Sequence, residues 1–144
     1  MNYSRLAAAA LAATVADLAY GFVVYGNLMA SQFGQYPAVY RPADDTSHMP
    51  YLMLGVLIAM IAATWIYAKG YEGGSGLQEG LRFGAALGVF VVGAVALVNY
   101  AVMQVGAVLC CWFAAAAFVE WLIMGAIIGL VYKPAVSPRR AATV

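Results

Sequence analysis

Two acids in this chain stand where acids are costly. Glu120 is the only charged residue between Phe83 and Tyr132, and Asp17 lies inside the apolar run from Leu6 to Met29. An ionisable side chain at the centre of a membrane helix costs roughly 2.5–3.5 kcal/mol on insertion scales, so it normally has a partner or a task. Asp17 is 12 residues beyond Arg5, and Glu120 is 13 residues before Lys133. At about 1.5 Å of rise per residue, both lie roughly 18–20 Å in from the same basic level. Two acids on different helices at equal depth can share a proton, bind a cation or hydrogen-bond a polar ligand. The plainer alternative is that each is paired with Tyr20, Asn99 or a backbone carbonyl and fixes helix register. Asp17, Tyr20, Val24 and Asn27 recur at i, i+3, i+7 and i+10, which is one face of a helix, leaving Leu11, Leu18, Phe22 and Val23 for lipid. Asp17, Glu120, Tyr20, Asn27 and Asn99 are therefore the candidate proton, cation or ligand residues.

Other reactive residues form weaker patterns. Cys110 and Cys111 are adjacent, with neither a C-x-x-C spacing nor a distant resolving cysteine, so they read as buried small apolar residues beside Trp112. Asp44, Asp45 and His48 in the first loop are too few for a metal set, and a solvated loop with a helix cap is the expectation. No Ser-His-Asp set, zinc-protease helix, haem motif or nucleotide loop is present, and a single histidine excludes bis-histidine haem within one chain. The expectation is a non-enzyme with no cofactor and no metal.

The elements that must hold these residues are membrane helices. Of the 144 residues 65% are hydrophobic and 9% charged, with mean hydropathy +0.86, where soluble domains carry about a quarter charged residues. Net charge is +1 with no basic cluster, which argues against a nucleic-acid partner. Spans are expected at about 6–29, 50–68, 80–103 and 108–132, each long enough for a bilayer that needs about 20 apolar residues. The first is read as an uncleaved span, because its apolar run continues past any plausible signal-cleavage point. Residues 30–49 form a long polar loop punctuated by Pro37 and Pro42, and Pro50 opens the second span. Ser4 is the expected cap of the first helix. Ser75 and Gln78 have capping-box spacing, and Glu79 and Arg82 can pair at i, i+3. Arg5, Lys69, Arg82, Lys133, Arg139 and Arg140 fall on one side of such a bundle and only Arg41 on the other. By the positive-inside rule both termini are cytoplasmic and the long loop is outside. The fold class is all-α: one integral membrane four-helix bundle, multi-pass in an inner or plasma membrane.

Gly80, Gly84 and Gly88 form a small-xxx-small ridge on the third span, and Gly125 and Gly129 a second on the fourth. Such ridges let helix backbones approach closely, within a bundle or between protomers. The run Glu79-Gly80-Leu81-Arg82-Phe83-Gly84, continuing to Gly88, and the ending Leu122-Ile123-Met124-Gly125-Ala126-Ile127-Ile128-Gly129 resemble a family of small four-span bacterial membrane proteins. The layout of a tyrosine-bearing first span, a polar loop and a glycine-rich third span is also similar. That family is of unknown function, so the resemblance implies an architecture and no activity.

Two functions fit these residues. One is a structural or accessory subunit, associating as a homo-oligomer or within a larger membrane complex through its glycine-rich faces. The other is a small transporter, channel or ligand-binding bundle that uses Asp17 and Glu120.

Overall fold

The computed structural model describes residues 1–42 and 44–132, so Lys133, Arg139 and Arg140 lie outside the described residues. Within them the chain is helical, with no strand. Helix α1 (Tyr3–Val23) starts at Asn2, whose side-chain oxygen accepts a hydrogen bond from the Arg5 amide at 3.2 Å. Asn2, not Ser4, is thus the cap, and the helix begins earlier than its apolar pattern indicates. A π-helical turn, Val24–Leu28, continues α1, and the short α2 (Ala30–Phe33) follows. Helix α3 spans Met49–Gly70 with proline in its first turn, where the missing amide hydrogen is not needed. Helix α4 (Gly76–Val91) runs through a second π-helical stretch, Val92–Leu97, into α5 (Val98–Val102), and α6 spans Ala107–Val131.

Four of these units, Tyr3–Leu28, Met49–Gly70, Gly76–Val102 and Ala107–Val131, are long and apolar enough to cross a membrane. They fit a multi-pass membrane bundle. The third begins at Gly76 rather than near residue 80, because the turn Tyr71–Ser75 is tighter than the expected start implied. Gly73 holds φ at +93° there, a conformation that favours glycine. The Glu79 side chain reaches back to accept from the backbone amides of Glu72, at 3.2 Å, and Gly74. Glu79 therefore caps this turn. The Ser75–Gln78 box does not form, since Ser75 makes no capping bond, and no Glu79–Arg82 ion pair is found among the described residues.

The helices follow an open order in which α4 packs along α6, α6 against α1, and α1 against α3. The α4–α6 contact is the most extensive, and it is made by glycine. Gly76, Gly80 and Gly84 abut the backbones of Gly129, Gly125 and Trp121, while Gly88 faces the Phe118 ring. Lipid offers no hydrophobic drive for helices to meet, so van der Waals contact between bare backbones is what holds such a pair. On the other side of α6, Met124 and Ile128 join Ala9 and Ala13 of α1 and Met60, Ala63 and Tyr67 of α3 in one buried core. The alanines let α1 lie close, and the flexible methionines fill what remains. Thr14 and Thr64 are buried but return their hydroxyls to the carbonyls of Ala10 and Met60, at 2.8 and 2.7 Å. They add no free polarity to the core.

Each end of the bundle is closed differently. At the end carrying Arg5, Lys69 and Arg82, the Tyr67 ring lies 5.5 Å from Phe83, 5.9 Å from Tyr71 and 6.0 Å from Tyr132 between centroids. Edge and tilted contacts of this kind suit the aromatic quadrupole. At the far end the Gly106 amide donates to the Tyr36 hydroxyl at 2.9 Å, tying the segment after α2 to the turn before α6. In the same loop Asp45 accepts from the Ser47 amide at 3.1 Å and the Ser47 hydroxyl, and pairs with Arg41 at 3.3 Å.

Candidate functional site

Helices α1 and α6 cross with their acids facing. Asp17 is 9% exposed, and its carboxyl meets that of Glu120 within hydrogen-bonding reach. The equal depth counted from the basic anchors is thus matched by direct contact. A hydrogen bond between two carboxyl groups has only one source of hydrogen, a proton held by one of them. Glu120 Oε2 accepts from the Tyr25 hydroxyl at 2.8 Å. Tyr25 is in turn framed by Tyr20, 6.0 Å away edge-on, and by Phe113 at 5.7 Å. The site is a carboxyl pair with one phenol donor, walled by aromatic rings.

Tyr20 serves this wall rather than the acids. Its hydroxyl donates to the Ala116 carbonyl at 2.8 Å, crossing from α1 to α6 one turn before Glu120. No salt bridge reaches either acid among the described residues; the ion pairs found there belong to Asp45 in the loop. Among the described residues no lysine or arginine balances the pair, and a shared proton or a bound cation is what its geometry can accommodate.

Two expected members are elsewhere. Asn27 is exposed and donates to the Phe22 carbonyl of its own helix at 2.6 Å. Helical spacing itself places Asn27 off the Asp17 direction, and the π-helical turn Val24–Leu28 adds to it. An unbroken α-helix advances about 100° per residue, which puts Val24 about 20° from the Asp17 direction and both Tyr25 and Asn27 about 80° from it, on opposite sides. The wider turn begins after Val24, whose amide still bonds the Tyr20 carbonyl, so it carries Asn27 further outward while Tyr25, one residue in, lies on the other side and reaches Glu120. The diagnostic bond is present: the Met29 amide donates to the Val24 carbonyl, five residues back, at 2.8 Å. Asn99 sits on α5, half-buried beyond the second π-helical stretch, and makes no hydrogen bond to the acids.

Tyr25 is the member that spacing missed. A stripe drawn at α-helical intervals passes through Val24, and nothing in an apolar sequence announces a five-residue turn. The available signal is local: Gly21, Gly26 and Asn27 are poor helix formers clustered at the end of an otherwise alanine-rich helix.

The cysteines divide. Cys110 is buried, with its thiol 3.6 Å from the Ala96 carbonyl, whereas Cys111 is exposed on the outer side of α6 with Ala107, Val108, Trp112 and Ala115. The expectation that both are buried holds for Cys110 only, because consecutive residues on a helix point about 100° apart. Asp45, Ser47 and His48 satisfy one another, the Ser47 hydroxyl lying 2.7 Å from His48 Nδ1.

No protein-family model matches the chain, and neither a curated protein nor a solved structure matches it.

Proposed function

We propose that this chain is a small, non-enzymatic bundle of an inner or plasma membrane that handles protons, with Asp17, Glu120 and Tyr25 as the proton-holding site. The observation that carries the reading is the contact of the Asp17 and Glu120 carboxyls, with Tyr25 donating to the second, in the middle of two long apolar helices. Intramembrane acids that face one another mark proton or ion pathways in membrane proteins. A positively charged side chain would make the pair a static register lock; among the described residues none forms a salt bridge with it. With both termini cytoplasmic, Arg5, Lys69 and Arg82 lie on the inner side and the Tyr36 loop outside.

An accessory-subunit role draws less support from the geometry. The glycine faces offered for association are consumed inside the chain, where Gly80 and Gly84 of α4 lie against Gly125 and Trp121 of α6.

The test is proton movement in liposomes of defined lipid, with a pH dye inside and a potassium diffusion potential as the drive. The wild-type protein should change the internal pH faster than empty liposomes. The double variant Asp17→Asn, Glu120→Gln keeps side chains that hydrogen-bond and should reconstitute equally well, yet lose that flux. Equal flux from both, or none from the wild type with any driving cation, overturns the reading.

A further inference from the structure

The bundle is packed unequally on the two sides of the acid pair. Toward the end carrying Arg5, Lys69 and Arg82, α1 buries Ala9 and Ala13, α6 buries Met124 and Ile128, and α3 buries Met60 and Ala63. Each of the six is at most 3% exposed, and Tyr67 and Tyr132 close the same cluster further along. Among the described residues this layer holds no group that relays a proton. Alanine and isoleucine side chains offer no donor, and a methionine thioether is only a weak acceptor. The buried hydroxyls of Thr14 and Thr64 are returned to carbonyls of their own helices.

Toward the loop end the packing loosens at the level of the pair. Helix α1 has no buried residue from Leu18 to Leu28. Helix α3 is exposed at each of Tyr51, Leu52, Met53, Leu54 and Gly55. Five successive residues face every side of a helix, so no other helix covers α3 there. On α6 beyond Ala117 the buried residues are Leu109 and Cys110, and Cys110 turns its thiol to the Ala96 carbonyl of the third span. The groups beside the pair on this side carry hydroxyls: Tyr25 donates to Glu120, and Tyr20 stands one turn beyond Asp17. Helix α3 bears no ionisable side chain between Tyr51 and Tyr67, nor does the third span between Arg82 and Tyr100. The two phenols are thus the titratable neighbours of the pair.

We propose that the acid pair exchanges protons with the loop end alone, and that Met60 and Met124 form the barrier that shuts it from the basic end. The inference rests on the proton-handling reading and adds to it the direction of access. Met124 is one turn inward of Glu120, as Ala13 is of Asp17, so the barrier begins directly beneath the pair. Its other members at this level, Ala13 and Ala63, are small, which leaves the two methionines to fill the space. Passage through the bundle then requires that layer to part. Methionine suits the task, because an unbranched side chain with three rotatable bonds repacks where a branched one would jam.

The experiment reads the pair from each end in turn. In the purified full chain, the infrared carboxyl band of the pair is identified by its loss in the double variant Asp17→Asn, Glu120→Gln. In detergent both ends meet one solution, and the band should change with pH. The chain is then tethered within a lipid bilayer on an infrared-active gold surface, in two orientations. A tag before Met1 leaves the loop end toward the bulk solution. Asp45→Cys, in a chain with Cys110 and Cys111 replaced by serine and alanine, leaves the basic end toward it. After a step in bulk pH the band should respond when the loop end faces the bulk, and stay still when the basic end does. Met124→Gln, similar in size but able to hydrogen-bond, should add a response from the basic end. Met60→Gln tests the same layer from α3 should the first variant fail to fold. A wild-type response from the basic end, from both ends alike or from neither overturns the inference and leaves the proton-handling reading standing. A folded glutamine variant that stays silent from the basic end removes the methionine barrier. A band that does not change with pH even in detergent sinks the reading and the inference together.

Discussion

Gly80 and Gly125 are reciprocal: a β-carbon on either would run into the backbone carbonyl of the other. Gly84 stands the same way to the Trp121 carbonyl. Gly88 differs, since its nearest neighbour is the Phe118 ring at 2.7 Å, and a ring can move. Substitution should therefore grade along one ridge. Gly80→Ala and Gly84→Ala must push two helix backbones apart, at the upper end of the 1–3 kcal/mol typical of overpacking, roughly 3 kcal/mol each. Gly88→Ala should cost about 1 kcal/mol. A β-carbon at Gly93 meets nothing within 4 Å, and Gly93→Leu should stay within about 0.5 kcal/mol of wild type. Thermal unfolding in mild detergent gives the order, and equal effects at 80 and 93 would remove the ridge from the account.

The far end hangs on Tyr36. Its hydroxyl is the acceptor for the Gly106 amide, and a β-carbon on Gly106 would press on that same oxygen, at 2.5 Å. Tyr36→Phe and Gly106→Ala should both loosen the loop from the start of α6, each by about 1 kcal/mol. Hydrogen exchange at the Gly106 amide should rise on the order of fivefold in Tyr36→Phe, with α4 and α6 otherwise unchanged. Protection that is indifferent to the substitution would show that the bond does not hold the loop.

Acid should disorder the same loop. The Ser47 hydroxyl and then the Ser47 amide hydrogen-bond the Asp45 carboxylate and hold its pKa below 3.8, with smaller help from Arg41 and His48. A folded pKa below the ordinary value means the ionised carboxylate favours the folded loop. That contribution is complete above pH 3.8 and is lost as pH falls through the lowered value. The Ser47 amide resonance should move in that window in wild type and not in Asp45→Asn. A transition above pH 5 would belong to another group.

Orientation can be read chemically. With Cys110 and Cys111 replaced by serine and alanine, a cysteine at Asp45 should react with a membrane-impermeant maleimide added to whole cells. One at Ser75 should react only after the membrane is opened. Ser75 is exposed and Asp45 partly exposed, at opposite ends of the helices. The reverse pattern would overturn the charge argument that places both termini inside.

Helix number, approximate limits and the two glycine ridges were legible because they depend on composition and regular spacing, which an apolar sequence displays openly. The meeting of Asp17 and Glu120 was legible for a simpler reason: each was counted along its helix from a basic residue expected at the same membrane face. What spacing could not provide were the places where the helix departs from 3.6 residues per turn. The π-helical turn Val24–Leu28 is one such place, visible only through bonds such as Met29 to Val24. Side chains that reach backwards were equally hidden. Glu79 left its expected partner Arg82 for two loop amides, because an uncapped turn holds stronger donors than an exposed guanidinium in competition with water.

The two acids should differ in what their removal does. Asp17 is the more buried and packs on a helix face lined by Ala9, Ala13 and Thr14, whereas Glu120 is half-buried and has Tyr25 as a second partner. Asp17→Asn keeps a hydrogen-bonding group and donates to Glu120, so folding should change by less than about 1 kcal/mol. Glu120→Gln likewise retains an acceptor for Tyr25. Glu120→Leu is another matter, because it leaves both Asp17 and the Tyr25 hydroxyl without their partner at membrane depth. Stranding a buried polar group costs about 1–3 kcal/mol, so this variant should lose roughly 2–4 kcal/mol, partly offset by the apolar side chain gained. Adding Asp17→Leu and Tyr25→Phe removes the stranded groups and should recover most of that loss, though not proton flux. Thermal unfolding of the single, double and triple variants measures this directly. A Glu120→Leu protein as stable as wild type would show that the contact among Asp17, Glu120 and Tyr25 contributes nothing to the bundle, and a triple variant no better than the single would place the loss in packing instead.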